Sequence, residues 1–456
     1  MWNRRRVFGA LAGGGIAGLA GTTRASGFTG VLSASLRGSL DAAEHGVSPG
    51  SIDDQAGALA RLLETAAETN TPVFLPGGTY VVSGIRLPRR VRLAGVPGAT
   101  RIVHGGDGHL FLAEDAEHIS FSGLIFDGAR RPAARAKGLL DLRRVEALAI
   151  DDCSVTGSGG NGIALEACRG RVERTEITRA QEAGLYSVAA RGLEITGNTV
   201  TDCANGGILV HRWEIGEDGT IVTGNRVERI AASNGGTGQF GNGINLYRAG
   251  GVIVANNRVA DCAFSAIRAN SAGNVQITGN SCLRSGETAV YSEFAFEGAV
   301  ISSNIVDGAA NGISIVNFNE GGRLAVCSGN LVRNLSTEGP YPADPPGFGV
   351  GITVEADTAV TGNVIENAPL YGMHLGWGPF LRNVVATGNV IRGAGEGIAV
   401  SVVEGTGSAV ITDNVISETA RGAVVGHRWS EAVTGDLAVE GASAFPQLTV
   451  ERNHTG

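Results

Sequence analysis

From about residue 150 onward, apolar and polar residues alternate over runs of four or five, and Gly or Asn closes most runs. A period of two is the pattern of a half-buried strand, and Gly or Asn marks a turn that needs left-handed backbone. One phrase recurs at Thr196-Gly197-Asn198, Thr223-Gly224-Asn225, Thr278-Gly279-Asn280, Ser328-Gly329-Asn330, Thr361-Gly362-Asn363 and Thr387-Gly388-Asn389, with looser copies at Asn257, Asn304 and Asn414. Successive Asn lie 27, 32, 23, 24, 26, 33, 26 and 25 residues apart. A second phrase, small-Gly-Ile-x-Val, falls between the first, as at Gly162-Ile163, Gly207-Ile208, Gly243-Ile244, Gly312-Ile313, Gly351-Ile352 and Gly397-Ile398.

A strand, a sharp turn and another strand every ~25 residues predict the coil of an all-β parallel solenoid, with about 13 coils in all. Stacking at ~4.8 Å puts equivalent residues in columns, so the turn Asn are expected to form a ladder of buried amides. The cysteines follow the same register. Cys282 falls in the column of Val200, Val227 and Val259, Cys327 in that of Ile195 and Ile277, and Cys203 and Cys262 in that of Ile230 and Leu335. They are expected to be free core thiols, since Cys203 and Cys262 sit two coils apart, ~10 Å, too far for a disulfide.

The N-terminal part has a different period. Asp53-Asp54 followed by Ala56, Leu59, Leu62, Leu63 and Ala66 predicts a capped amphipathic helix. Two short strands around Pro76-Gly77-Gly78 follow it. A solenoid end exposes its core, and a helix there would cover it.

Composition narrows the picture. Gly accounts for 71 of 456 residues, hydrophobic residues for 43% and charged ones for 18%, which excludes a disordered chain. No apolar run reaches the ~18 residues of a membrane span. Net charge is −8 and Lys137 is the sole lysine, so nucleic acid is not an expected partner and any lysine base would have to be Lys137. Residues 1–25 read as a twin-arginine signal peptide: Arg5-Arg6-Val7-Phe8, a Gly-diluted apolar stretch, then Thr23-Arg24-Ala25. That segment implies a bacterial protein passed by the Tat translocase to the periplasm or beyond, without a membrane anchor after cleavage.

His45-Gly46-Val47, Asp53-Asp54, Leu59, Leu63 and Phe74-Leu75-Pro76-Gly77-Gly78-Thr79-Tyr80 resemble the opening of the pectate-lyase-like superfamily. With the leader and the Thr-Gly-Asn coils, the chain is similar as a whole to Tat-exported repeat proteins of that superfamily. The resemblance implies a single-stranded right-handed parallel β-helix with an N-terminal capping helix. The expected organisation is a signal peptide over 1–25, a lead-in and capping helix over 26–72, and the β-helix over 73–456. The fold hosts lyases, hydrolases, epimerases and inert spikes, so the reaction must be argued from residues.

Several constellations are weak. Asp151-Asp152-Cys153 superficially resembles the paired Asp of polygalacturonases, but it occupies the column of Thr196-Gly197-Asn198, a turn. His104, Asp107, His109 and His118 have no tight metal-ligand spacing, and no metal site is assigned. His-Arg-Trp occurs twice, at His211-Arg212-Trp213 and His427-Arg428-Trp429.

A sharper candidate comes from the Gly-Ile-x-Val strands, where Ile and Val point inward and the residues between point out. The outward columns read Leu209 and His211, Asn245 and Tyr247, Arg268 and Asn270, Tyr291 and Glu293, Ser314 and Val316, Thr353 and Glu355. Insertions at Asn234 to Gly241 and Ser336 to Phe348 flank them and predict a groove four coils long, ~19 Å. Arg268, Tyr291 and Glu293 are the candidate catalytic residues: a carboxylate clamp, a stacking or proton-exchanging phenol, and an acid or base. Asn245, Tyr247, Asn270, His211 and Trp213 are the candidate substrate-binding residues. The expected partner is an acidic polysaccharide, cleaved by elimination or hydrolysis, with no cofactor unless Ca²⁺ bridges the like charges. The alternative is a non-catalytic glycan-binding or envelope structural protein.

Overall fold

The structure is a computed structural model that describes residues 38–456. The expected signal peptide and the first part of the lead-in lie outside the described residues. Two sheets wind around one apolar core. One has 16 strands and the other 28, the latter bending within each coil to take in both the short strands after the Asn turns and the Gly-Ile strands. Pairing between coils is parallel throughout, and the columns fall where the sequence put them. Ile195 pairs with Val222, which pairs with Val254, then Ile277, Ile301, Cys327 and Val360.

The Asn ladder holds one corner. Asn280 is a typical rung: its Nδ2 donates to the Val254 carbonyl and to Asn304 Oδ1, both at 3.0 Å, while its own Oδ1 accepts from Asn257 N and Nδ2. The same bonds run from Asn198 to Asn414 and on to Asn453, one rung further than expected. The residue before each Asn takes φ near +60°: Gly197, Gly279 and Gly388, but Asn256, Ser303 and Asp413 in the looser copies. Asn and Asp tolerate that backbone better than other side chains, which is why the phrase degenerates this way without breaking the turn.

The solenoid has about 14 turns, close to the roughly 13 coils expected, and its 16-strand sheet counts the lead-in strand Leu40–Asp41 among its members. The earlier coils keep the left-handed corner at Gly123, Asp152 and Arg174 but carry Leu124, Cys153 and Thr175 where the ladder would have Asn. Asp151-Asp152-Cys153 is therefore a turn, with Asp151 paired to Arg174 at 2.5 Å. All six cysteines are free and buried. Burial pushes the thiols up, to about 11 for Cys203 and about 12 for Cys282.

The helix Ala56–Thr69 covers the N-terminal end and buries Leu59, Leu62, Leu63 and Ala66. Its start differs from expectation. Gln55, not an Asp, is the N-cap residue and its side chain makes no cap bond. Asp54 instead accepts from Ala56 N and from Ser83 N and Oγ, tying the helix to the end of the Gly78–Val82 strand. The sheet also begins before residue 73, because Leu40–Asp41 already pairs with Val73–Phe74. At the other end, Val424–Arg428 pairs antiparallel with Glu431–Asp436, followed by the short helix Leu437–Glu440.

Candidate functional site

The outward columns of the Gly-Ile strands are continuous. Asn245 pairs with Arg268, Arg268 with Tyr291, Tyr291 with Ser314, Ser314 with Thr353 and Thr353 with His374. Beside them His211 pairs with Tyr247, Tyr247 with Asn270 and Asn270 with Glu293. The two insertions lie against this face. In the first, the backbone of Gly238 presses on Arg268: a Cβ there would sit 1.7 Å from its Nη1, so only Gly fits without displacing the guanidinium. The second folds back instead of standing as a simple end wall. Tyr341 reaches toward the N-terminal coils, donates to Glu287 Oε1 at 2.5 Å and stacks near Phe264 at 6.2 Å between ring centres.

Arg268, Glu293, Glu287 and Tyr341 thus form a partition whose two carboxylates are buried and whose Arg268 and Tyr341 are half-buried. Arg268 Nε donates to Glu293 Oε1 at 2.6 Å and Nη1 approaches Glu287 Oε2 at 3.5 Å, while the guanidinium lies 5.1 Å from the Tyr291 ring centre. Asn270 Nδ2 donates to the same Glu293 oxygen at 2.9 Å. Arg268, the expected carboxylate clamp, already faces two carboxylates of the protein itself, which match its charge. Glu293 is likewise committed to Arg268 and Asn270, and at 2% exposure it is not open to a substrate proton. Burial pushes the Tyr291 and Tyr341 phenols up, so both keep their protons at neutral pH.

A cavity lies on each side of the partition. The first, about 370 Å³, is lined by His211, Asn245, Tyr247, Arg268, Asn270 and the Thr237–Gln239 stretch. Burial pushes the His211 imidazole down to about 4, so it is neutral, and Tyr186 and Tyr247 flank it edge-on. Five of the eight expected site residues therefore share one cavity, and Arg268 is among them. Tyr291 belongs to the other side. Trp213 lines neither cavity: it is 57% exposed, with Lys137 Nζ 5.6 Å from its ring. Lys137 is paired with Glu166 at 2.5 Å and lines neither cavity.

The second cavity, about 220 Å³, was not singled out from the sequence. Tyr291, Tyr341, Asp344, Glu355, His374 and Trp377 line it. Glu355 closes the strand Val350–Val354 and is 7% exposed. Burial raises its carboxyl to about 7, opposed by the Phe318 N–H, which donates to Oε2 at 2.6 Å. His374 is pushed down to about 4 by burial and is neutral. Asp344 stands exposed on the insertion. Glu355 was visible in the outward column, but nothing in the spacing marked it as buried.

The remaining constellations divide. His427 Nε2 is locked to Glu396 Oε2 at 2.6 Å, and Trp429 packs edge-on against Trp377, so the second His-Arg-Trp does a different job from the first. Among the described residues, no group of three or more His, Cys, Asp or Glu could hold a metal ion, and His104, Asp107, His109 and His118 are not gathered into one. No helix of the described residues is long and apolar enough to cross a membrane.

Fold and strand face together define a right-handed parallel β-solenoid with a two-part groove between insertions. Residues 138–231 and 216–385 match the model of the family described as right handed beta helix region, and the chain belongs to that family. No curated protein matches it. Among solved structures it is similar to the A-module of mannuronan C-5 epimerase AlgE6 from Azotobacter vinelandii, at 15% identity over 91% of this chain and 99% of that one, with a TM-score of 0.48. It is also similar to DFA-IIIase from Arthrobacter chlorophenolicus A6 without its lid, at 14% identity over 78% and 94%, TM-score 0.48. A third is the pre-mature bacteriophage phi29 gene product 12, at 16% identity over 90% and 58%, TM-score 0.51. Of these three, the phi29 protein alone reaches a TM-score of 0.5, and at 16% identity that likeness shows the fold alone.

Proposed function

We propose that this protein binds a glycan along the walled strand face and hydrolyses it, with Glu355 as the general acid. The observation that carries the reading is a carboxyl raised to about 7 by burial in a cavity with Tyr291, Tyr341 and Trp377. A buried carboxyl that keeps its proton near neutral pH is what protonation of a glycosidic oxygen requires. Aromatic faces suit the apolar C–H face of a sugar ring. Asp344, exposed to solvent on the insertion, serves as the second carboxylate and activates the water.

Elimination has less support. It needs a base and a cation on the uronate carboxylate, yet both phenols keep their protons, Lys137 lies elsewhere and Arg268 is already matched by Glu287 and Glu293. Neither Arg nor Lys is among the residues lining the Glu355 cavity, so the acidic polymer expected from the sequence would meet no counter-charge there. Export by the Tat translocase to the periplasm or the outside remains part of the proposal on the strength of Arg5-Arg6 and the weak apolar stretch after it.

The test is incubation of the purified protein with neutral and acidic polysaccharides, reading reducing ends and the ultraviolet absorbance of unsaturated products. Reducing ends without that absorbance, abolished in Glu355→Gln, are expected. Unsaturated products, or full activity in Glu355→Gln, would overturn the hydrolytic assignment. Binding without turnover by the unaltered protein would favour the non-catalytic reading.

A further inference from the structure

The first cavity has a property that the hydrolytic reading does not use. Asn245 is 7% exposed, yet its side-chain amide makes no hydrogen bond with any described residue, and its Oδ1 is buried without a partner. His211 Nε2, on the neighbouring column, is also buried and unpartnered. Buried polar groups are nearly always paired, and two orphans on adjacent strands of one cavity floor call for a ligand or water that both donates and accepts. Sugar hydroxyls do both.

The charges on the floor narrow the choice. Arg268 is matched by Glu293 and Glu287, and the imidazole of His211 is neutral. A carboxylate would find no uncompensated cation among the lining residues and would meet the acceptor Oδ1 of Asn245. The volume, about 370 Å³, lies at the small end of the about 300–1,000 Å³ usual for ligand pockets, room for one or two rings. The rings of Tyr186 and Tyr247 fix the imidazole from both sides, so the floor is preorganised and not formed around the ligand.

We propose that the cavity over Asn245 and His211 is a distinct subsite for an uncharged sugar ring, anchoring a neutral glycan whose cleaved bond lies over Glu355. The inference rests on the reading of this face as a glycan groove. Asn245 and Thr353 are four strands apart, ~19 Å, so the partition of Arg268 and Tyr341 is bridged by the chain of the substrate itself. Oligosaccharides too short to span it would engage one cavity at a time and bind more weakly.

Calorimetry on the full chain with linear gluco-, manno- and xylo-oligosaccharides and with oligogalacturonate tests this. A neutral oligosaccharide is expected to bind and oligogalacturonate is not. Thr237→Trp, an exposed lining residue whose enlargement fills the cavity mouth, is expected to weaken that binding at least tenfold with an unchanged thermal midpoint. Asn245→Ala is expected to weaken it in the same direction. Glu355→Gln is expected to abolish hydrolysis while leaving the affinity within about twofold. Unaltered affinity in both Thr237→Trp and Asn245→Ala, or binding of oligogalacturonate that Thr237→Trp abolishes, would overturn the subsite while leaving Glu355 hydrolysis intact. Hydrolysis surviving in Glu355→Gln would instead remove the catalytic reading and leave the subsite standing. Binding of none of these sugars by the unaltered protein would overturn the subsite.

Discussion

Replacing Glu355 with Gln separates burial from charge. The carboxyl is raised from 4.5 to about 7, chiefly by burial. Because the folded-state value is the higher one, the folded protein holds this proton more tightly than the unfolded chain. Below about pH 4 both states are protonated and burial of the group carries no ionisation penalty. As pH rises through the ordinary carboxylate range the unfolded chain ionises first, and stability falls until the folded value is passed. At 1.36 kcal/mol per pH unit the gap corresponds to about 3 kcal/mol lost above about pH 7. Gln keeps the shape and can still accept from the Phe318 N–H, without the charge. Glu355→Gln should therefore be more stable than the unaltered protein by up to about 3 kcal/mol at about pH 8, and nearly equal to it at about pH 4. Denaturant midpoints of both proteins across that range measure the difference. A gap that does not change with pH, or one that is larger in acid, would refute the burial argument and with it the acid role. Hydrolysis, needing the protonated form, should decline on the same pH scale, tending to about tenfold per unit above pH 7.

Other consequences follow from the same geometry. Asn280→Ala removes two donated and two accepted bonds from the ladder and should lower stability by about 1–3 kcal/mol, seen as a lower denaturant midpoint. The six cysteines should resist thiol reagents in the native protein and all react in denaturant, because burial both covers them and disfavours the thiolate. Tyr341→Phe removes the donor to Glu287 and should release the insertion from the strand face, seen as faster amide exchange over 337–348 and little change elsewhere. Changing Arg5 and Arg6 together to Lys should leave precursor in the cytoplasm, and normal processing of that variant would count against Tat export.

The fold was legible because each coil repeats the same physical problem. A corner that needs left-handed backbone selects Gly or Asn, and a buried amide beside it must find its donors in the preceding coil and an acceptor in the next. Nine Asn in the sequence satisfied both conditions at once, and all nine are in the ladder. Where Cys153 or Thr175 fills the corner the turn persists without the amide, so those coils left no phrase to read. The helix cap was misread for a related reason: Asp54 has a more distant partner in Ser83, which a local pattern does not contain.

The site was legible as columns and not as contacts. Strand alternation put Asn245, Arg268 and Tyr291 on one outward face, and the register confirms each pairing. What each side chain does there depends on Tyr341, which crosses back over earlier coils to reach Glu287, and on Gly238, whose backbone lies on Arg268. The first insertion reaches the following coil and the second turns back over earlier ones, a geometry fixed by loop packing and absent from the period. The consequence is chemical. The return of Tyr341 helps bury Glu287 beside Arg268, so the charge of Arg268 is spent inside the protein. Glu355 is enclosed in a cavity lined by no Arg or Lys among the described residues, and burial raises its carboxyl to about 7. The insertion that helps hide the arginine also lines the Glu355 cavity, so on the proposed reading the chemistry of the groove passes from anion recognition to proton donation.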